Sequence, residues 1–165
     1  PWHDEPAYIE ALAESVRTHL AGLDWEPEVV LASFHGVPKR YLELGDPYHC
    51  QCAKTARLLE EALGWPEGRL SLCFQSRFGR EEWLRPYLDE EFARLGAKGV
   101  KRLAVITPGF TTDCLETLEE IAITGAEQFK AAGGEQFSFI PCLNDQPSHL
   151  HLLANLMRRE LAGWV

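Results

Sequence analysis

The sequence is poor in positive charge, because 16 lysines and arginines stand against 25 aspartates and glutamates, for a formal net charge of −9 at pH 7. A chain this acidic repels a phosphate backbone, so we expect no nucleic-acid partner. The sequence also lacks any apolar run near the roughly 20 residues that a membrane-spanning helix requires. Its opening stretch, PWHDEPAY, lacks the basic and then apolar order of a secretory signal. We therefore expect a soluble, cytoplasmic protein, with peripheral association to a membrane surface left open.

Cysteines are few, and their spacing does not suggest pairing. The five cysteines are an odd number, and only Cys50 and Cys52 lie close together, as CxC and not as CxxC. No second close pair completes a four-thiolate zinc or iron–sulfur site, so we expect neither an iron–sulfur cluster nor another prosthetic group. Reduced thiols that act as small apolar residues in a cytosol are the simpler interpretation.

Several common catalytic motifs are also absent. The sequence contains no GxGxxG, P-loop, GxSxG or HExxH motif. Dinucleotide-binding, nucleoside triphosphate, serine-hydrolase and zinc-protease functions therefore lack their usual support. The 165 residues are enough for one ordinary domain and too few for two. We expect a single domain over residues 1–165.

What the sequence does contain is an alternation of short apolar runs with longer amphipathic segments. The apolar runs predict strands at about residues 28–34, 70–75, 102–107 and 137–140. Helical spacing of apolar residues predicts helices at about residues 6–21, 47–63, 83–97, 113–131 and 147–162. Alternating strands and helices need right-handed crossovers, so we predict an α/β fold, a Rossmann-like three-layer sandwich with a four-stranded parallel sheet. Because the chain opens on a helix, we expect it to be half of something larger.

The first apolar run ends in His35. Ligands of parallel sheets bind beyond the carboxyl ends of the strands, and Gly36 would let the backbone approach such a ligand closely. A neutral imidazole there can accept a proton near neutral pH or bind a borderline metal ion. A capping or core histidine that bonds to a neighbouring loop is the alternative, and position alone does not decide. The other five histidines do not follow an apolar run in this way, and we expect them at the surface. They are His3, His19, His49, His149 and His151.

The loop after the third apolar run carries a row of acids. Asp113 is the predicted N-cap of the next helix, with Glu116 three residues later in capping-box spacing. Glu116 and Glu120, at i and i+4, would share one helix face and either point into water or collect a cation. Together with His35, and with Cys114 as a softer donor, they would form a sparse, transient site for a divalent transition metal ion.

Aromatic residues flank these loops. Four aromatic residues could add flat apolar surface beside the metal-binding residues, although ordinary core is the first interpretation for each of them: Phe34, Tyr48, Trp83 and Phe110. Arg77 could meet an acidic group of a ligand, or belong to a solvated, charged loop. The combination suggests a flat ligand.

Four ordered stretches carry a resemblance to a known family, over about residue 28 to the end of the chain. They read FHGVPKRYLELGDPY, CFQSRFGREEWLRPYLDE, VITPGFTTDCLETLEEI and FIPCLNDQPSH, and they resemble the C-terminal half of ferrochelatases. The resemblance implies two similar, chelatase-like Rossmann halves with a porphyrin cleft between them. It also implies insertion of ferrous iron into protoporphyrin IX to give protohaem, with iron, porphyrin and the N-terminal half of the same enzyme as partners.

The resemblance also implies residue roles. His35 is similar to the active-site histidine of the family, and Glu116 to the acid that faces it across the macrocycle. Glu120 is similar to the next acid in a row proposed to conduct the metal inward, so the implied metal contacts are His35, Glu116 and Glu120. Trp83 and Phe110 resemble residues of the porphyrin pocket, and we group Phe34 with them. Whether His35 acts as base or as metal ligand stays open.

The chain departs from the family pattern at some positions. Some relatives carry histidine where Cys114 stands, and Thr124 occupies a place that can be acidic. Because the N-terminal half is missing, we expect little or no activity from this chain alone. The alternatives are a small stand-alone chelatase that acts on another tetrapyrrole as a dimer, and a haem- or metal-binding module without turnover.

Overall fold

A computed structural model describes residues 2–164 and contains one parallel sheet with the strand order β2–β1–β3–β4. The strands are β1 (Val29–His35), β2 (Leu70–Gln75), β3 (Arg102–Ile106) and β4 (Gln136–Ile140). The α-helices are α1 (Pro6–Ala21), α2 (Lys39–Glu43), α3 (Tyr48–Leu63), α4 (Leu88–Ala97), α5 (Leu115–Thr117), α6 (Ala126–Ala131) and α7 (Pro147–Glu160). A π-helix, Leu118–Gly125, joins α5 to α6. The predicted α/β sandwich with four parallel strands is confirmed.

The strand order places the predicted loops together. From β1 the chain moves outward to β2, then returns to the other side of β1 to form β3. This reversal opens a crevice between the loops that follow β1 and β3. Ligands of open parallel sheets bind at such reversal points, beyond the carboxyl ends of the strands. The fold therefore brings the loop after His35 beside the loop that precedes α5.

The two faces of the sheet bury different residues because side chains alternate along each strand. One core lies against α1, α3 and α7, and its strand residues are Val30, Ala32, Phe34, Leu70, Phe74, Ala104, Ile106 and Ile140. The other lies against α4, the π-helix and α6, and its strand residues are Leu31, Cys73, Leu103 and Val105. By the same alternation, Ser33 and His35 point to the second face, and Phe34 points to the first.

Some helix boundaries follow the local sequence, and others differ from the prediction. α3 ends at Gly64, whose φ of 66° is left-handed and suits glycine. α4 begins at Leu88 and not near residue 83, because the preceding backbone is already bonded elsewhere. The Phe74 N–H donates to the Pro86 carbonyl oxygen at 2.9 Å, and the Leu84 N–H donates to the Val37 carbonyl oxygen at 3.0 Å. The short helix α2 was not predicted.

The five cysteines are free thiols, of which Cys50 is exposed and Cys114 is partly buried. Cys52, Cys73 and Cys142 are buried, and burial raises the pKa of each of these thiols to about 12. They are therefore protonated, apolar side chains at neutral pH. Residues 2–164 contain no helix with the length and hydrophobicity to cross a bilayer.

The surface position expected for His149 is wrong. Three of the other histidines, His3, His19 and His49, are partly buried, and His151 is exposed. His149 is buried, with 3 % of its surface exposed, and its Nδ1 lies 2.6 Å from the carbonyl oxygen of Asn144. His19 is partly buried, and its Nε2 lies 2.7 Å from Ser138 Oγ. Both side chains turn inward because a polar partner on another element compensates for the lost hydration.

Candidate active site

His35 lies at the carboxyl edge of the sheet, half-buried between two aromatic rings. Its ring centroid is 6.2 Å from that of Trp83 and 6.3 Å from that of Phe110, with an interplanar angle of 45° to each. Nδ1 lies 2.6 Å from the Gly36 carbonyl oxygen. When Nδ1 donates this hydrogen bond, Nε2 carries the lone pair that can accept a proton or bind a metal ion. The imidazole is therefore oriented for chemistry at Nε2.

Trp83 reaches His35 because two loops pair. Residues 36–39 run beside residues 82–84, with Pro38 and Trp83 forming an antiparallel bridge. Gly36 is required at the start of this pairing, since a Cβ atom there would lie 3.1 Å from both the Gln75 carbonyl oxygen and Trp83 Cε3. Tyr48 fixes the other side, where its hydroxyl donates to the His35 carbonyl oxygen at 2.9 Å.

Gln75 connects the two strands to the acidic segment. It lies opposite His35 in the β1–β2 register and has 3 % of its surface exposed. Its Oε1 accepts a hydrogen bond from Ser33 Oγ at 2.8 Å, and its Nε2 donates to the Glu116 carbonyl oxygen at 2.7 Å. A buried amide with both ends bonded holds its neighbours at fixed distances. The position of Glu116 relative to His35 is therefore set through Gln75.

Glu116, in α5, is an ionised acid beside His35. The pKa of its carboxyl lies below the usual value, chiefly because of a hydrogen bond from the Cys114 thiol. Gln75, the register partner of His35, donates to the Glu116 carbonyl oxygen, so the turn that carries Glu116 meets the end of β1 at this edge of the sheet. The geometry thus supplies a nitrogen base from β1 and a carboxylate from the segment after β3.

Glu120, in the π-helix, is bonded to the loop after β2. Its Oε1 accepts from the Ser76 N–H at 2.7 Å, its Oε2 accepts from Ser76 Oγ at 2.5 Å, and Gln75 Nε2 lies 3.3 Å from Oε2. Ser76 has a φ of 62°, a conformation that non-glycine residues rarely adopt. The carboxylate of Glu120 therefore stabilises this turn.

The predicted shared face of Glu116 and Glu120 is not observed as a row of free carboxylates. The i, i+4 argument assumed an α-helix, whereas the chain from Leu118 is π-helical, with a different angular spacing. The carboxylate of Glu120 is bonded to Ser76 in the loop after β2. In the part of the chain that the structure describes, no three histidine, cysteine or acidic side chains form a group able to hold a metal ion.

The predicted capping role of Asp113 is wrong. Cys114 is the N-cap of α5, and its N–H donates to Thr117 Oγ1 at 3.0 Å. Asp113 instead accepts hydrogen bonds from Thr117 Oγ1 at 3.1 Å, from the Cys142 N–H at 3.2 Å and from Asn144 Nδ2 at 2.7 Å. Burial raises the pKa of this carboxyl, but the hydrogen bonds outweigh burial and lower the pKa below its usual value. The competing donors come from the β4 loop, which local spacing does not reveal.

The family model for ferrochelatase matches residues 1–161 of the chain. The chain belongs to the ferrochelatase family. A curated ferrochelatase of Rhizobium meliloti (strain 1021) is 64 % identical over 165 residues, which is all of this chain and 49 % of the relative. One of Methylocella silvestris is 56 % identical over the whole chain and 47 % of the relative. The chain therefore spans about half the length of the curated ferrochelatases it matches.

A solved structure supports the fold of this ferrochelatase-family chain. The crystal structure of a CbiX protein, named for cobalamin (vitamin B12) biosynthesis, from Marinobacter aquaeolei VT8 matches with a TM-score of 0.55. The match covers 82 % of this chain and 98 % of that chain, at 15 % sequence identity. The chelatase-like architecture predicted from the sequence is thus confirmed.

Not all of the residues predicted from the ferrochelatase resemblance meet at one place. His35, Trp83, Phe110 and Glu116 gather at the carboxyl edge of the sheet. Phe34, with 4 % of its surface exposed, belongs to the opposite core. It lines a separate hollow of about 250 Å³, together with Trp2, Tyr8, Tyr48, Gly109 and others.

Arg77 is paired with neighbouring residues at the protein surface. Arg77 Nη2 lies 2.6 Å from Asp89 Oδ2, and its guanidinium lies 4.1 Å from the centroid of the Tyr87 ring. This exposed pairing supports the interpretation of the segment around Arg77 as a charged, solvated loop.

Two residues of the site, Gln75 and Ser76, were not predicted from the sequence. Gln75 could have been found in the same way as His35, because it is a polar residue at the end of an otherwise apolar strand.

Proposed function

We propose that the chain is the C-terminal half of a ferrochelatase that inserts ferrous iron into protoporphyrin IX to form protohaem. Family membership supports the reaction, and the arrangement around His35 supports the site. The observation that carries the proposal is an imidazole flanked by the rings of Trp83 and Phe110, whose strand neighbour Gln75 is hydrogen-bonded to the backbone of Glu116. Such a site offers flat apolar contacts, a proton acceptor and an anion to one flat ligand.

The reaction explains the choice of groups. Iron cannot enter a flat porphyrin while two pyrrole N–H protons occupy its centre, so Fe²⁺ enters as the two protons leave. The aromatic contacts of Trp83 and Phe110 would hold the ring and help to bend it through binding energy. His35 would accept a proton at Nε2, because a neutral imidazole is a base near neutral pH. Glu116, ionised at that pH, would stabilise the positive charge that develops.

The metal ion is a substrate in this proposal, so the site should bind it only weakly. His35 and Glu116 would meet the incoming ion on opposite sides of the ring. Glu120 would share its carboxylate between the ion and the hydrogen bonds that it accepts from Ser76. A carboxylate with protein donors already in place binds a cation less tightly, which favours transfer over storage.

The other half of the enzyme would supply the second wall of the cleft. Large apolar side chains are exposed around the site, and Phe78 and Leu115 each have 74 % of their surface in water. The ring of Phe78 lies 4.9 Å from that of Trp83, centroid to centroid. We propose that these side chains face the porphyrin or the missing half. The lack of a resident cofactor, the cytoplasmic location and the peripheral contact with membranes stay predictions from the sequence.

Replacing His35 tests the proposed function in the full-length enzyme. We expect His35→Ala to lower the rate of iron insertion by about 100-fold or more, because a general base is lost. Metalloporphyrin absorbance measures the rate, and quenching of porphyrin fluorescence measures binding. The matched control is His151→Ala, an exposed histidine of α7, which should leave the rate unchanged. Near-normal turnover in His35→Ala would remove His35 from the mechanism.

A stand-alone chelatase is the second candidate. The observation in its favour is that the CbiX chain is matched over 98 % of its length, so a domain of this size exists as a separate chain. At 15 % identity the likeness concerns the fold alone. The activity of the chain by itself distinguishes the two candidates, as described in the Discussion.

A further inference from the structure

The loop after β4 carries an asparagine in an unusual backbone conformation. Asn144 has a φ of 47°, in the left-handed region that asparagine tolerates better than most residues. Its N–H donates to the Thr111 carbonyl oxygen at 2.9 Å, and its Oδ1 accepts from the Asp113 N–H at 2.9 Å. Its Nδ2 donates to Asp113 Oδ2 at 2.7 Å. Asn144 thus bonds to the loop that precedes α5 at three points.

A buried histidine holds this asparagine from behind. His149 lies in the first turn of α7, and its Nδ1 is 2.6 Å from the Asn144 carbonyl oxygen. Its Nε2 is buried and finds no hydrogen-bond partner among residues 2–164. Since a carbonyl oxygen only accepts, Nδ1 carries the proton and Nε2 the lone pair. Every polar atom of Asn144 is therefore bonded, and His149 supplies the last bond.

The contacts continue from Asp113 to Glu116. Asp113 Oδ1 accepts from Thr117 Oγ1, which in turn accepts from the Cys114 N–H. These bonds hold the one turn of α5 that carries Glu116. From the other side, Gln75 donates to the Glu116 carbonyl oxygen. The backbone of Glu116 is thus held between β2 and the loop after β4.

We propose that Asn144 and His149 are positioning residues, which act through Asp113 to hold Glu116 at the correct distance from His35. This inference rests on the proposed function. Neither residue needs to touch the porphyrin or the iron. A displacement of about 1 Å in a catalytic group can lower a rate by about 100-fold. Loss of these hydrogen bonds should therefore affect turnover more than porphyrin binding.

The test uses the full-length enzyme and variants of His149 that separate its shape from its hydrogen bond. His149→Phe keeps a flat ring without the donor, and His149→Asn keeps a donor near the place of Nδ1. We expect His149→Phe to lower kcat at least tenfold with little change in the KM for porphyrin. We expect His149→Asn to recover most of that loss. An equal loss in both variants, or none in His149→Phe, would overturn the proposal.

Two further measurements exclude a merely structural effect. In a Glu116→Gln background, His149→Phe should have no further effect on kcat, because His149 and Asn144 act only through the position of Glu116. A full tenfold loss in that background contradicts the proposal. His19→Phe is the matched control, since it removes a histidine bond to Ser138, far from α5 in the chain, and should lower Tm without lowering kcat.

Asn144→Gly provides an independent variant, because glycine accepts the left-handed φ while the side-chain bonds to Asp113 are lost. It should reproduce the kcat defect of His149→Phe, and an unchanged kcat contradicts the proposal. An unmodified enzyme without iron insertion would instead refute the proposed function itself, so the two failures are distinguishable.

Discussion

At the scale of single residues, hydrogen-bonded polar side chains hold the geometry of the site. Gln75 joins Ser33 to Glu116, Asp113 joins Asn144 to Thr117, and neither Gln75 nor Asp113 has to touch a substrate. Gln75 is buried, so loss of a partner would leave its amide without a hydrogen bond, at a cost of about 1–3 kcal/mol. The site is therefore rigid because its supports are mutually bonded.

Asp113 makes the stability of the chain depend on pH. Its folded pKa is lowered, so its contribution is present above the unfolded pKa of about 4 and is lost as the pH falls through the lower folded value. Asp113→Asn removes the charge that these donors stabilise. We expect the difference in unfolding free energy between the unmodified chain and Asp113→Asn to be larger at pH 6 than at pH 3. Urea unfolding at both pH values measures it, and an equal difference would contradict the assignment.

The exposed Glu119 is a suitable control for this measurement. Its carboxylate accepts a hydrogen bond from Thr124 Oγ1 on the protein surface. An exposed pair of this kind contributes little to stability. Glu119→Gln should therefore show almost the same unfolding free energy as the unmodified chain at pH 6.

At the scale of elements, the conformation of the segment after β3 depends on its packing against the rest of the fold. Apolar spacing predicted one helix over 113–131, whereas the chain forms α5, the π-helix and α6 in succession. Ile121 of the π-helix and Phe129 of α6 are both fully buried against α4 and the sheet. π-Helical turns are often found at functional sites, and here one carries Glu120.

Close packing of α4 against the end of α6 gives a prediction at this scale. Gly96 lies so near Ala132 that a Cβ atom at Gly96 would collide with the Ala132 carbonyl oxygen. The contact is with backbone, which cannot move aside as a flexible side chain can. We expect Gly96→Ala to destabilise the chain by about 1–3 kcal/mol despite the better helix propensity of alanine. Thermal or urea unfolding measures the change.

Ala97→Ser serves as the control for that substitution. Ala97 is exposed at the end of the same helix, so the change should stay within about 0.5 kcal/mol. A Gly96→Ala chain as stable as the unmodified one would show that α4 and α6 can separate at this point.

At the scale of the whole molecule, the chain spans about half the length of the ferrochelatases it matches, and Phe78 and Leu115 expose large apolar surfaces beside the site. Under the proposed function, this chain forms one wall of a porphyrin cleft. Expulsion of water and bending of the porphyrin would both require a second wall. A chain that supplies one wall should therefore not carry out the proposed reaction alone.

We therefore predict no measurable iron insertion by the chain alone, and recovery of activity when the other half of the enzyme is co-expressed. Metalloporphyrin formation, measured with size-exclusion chromatography of each sample, provides the check. Turnover by the chain alone as a dimer would favour the stand-alone chelatase. A shift in the porphyrin spectrum without turnover, even with both halves present, would favour a binding module.

The sequence by itself determined the order of strands and helices, because apolar periodicity and glycine or proline at helix ends are local properties. The predicted strands agree with the observed ones to within one residue at either end. The sequence also placed His35 near a strand end, since the apolar run from Val29 to Ala32 gives way to Ser33, Phe34 and His35. The family followed from four ordered stretches.

Only the tertiary structure decided which side chains meet. It engaged Glu120 with Ser76, and it gave the N-cap of α5 to Cys114 instead of Asp113. These outcomes depend on hydrogen-bond donors from loops distant in sequence, such as the Asn144 loop. Local spacing carries no information about such partners, because they compete for the same polar atoms only after the sheet has formed.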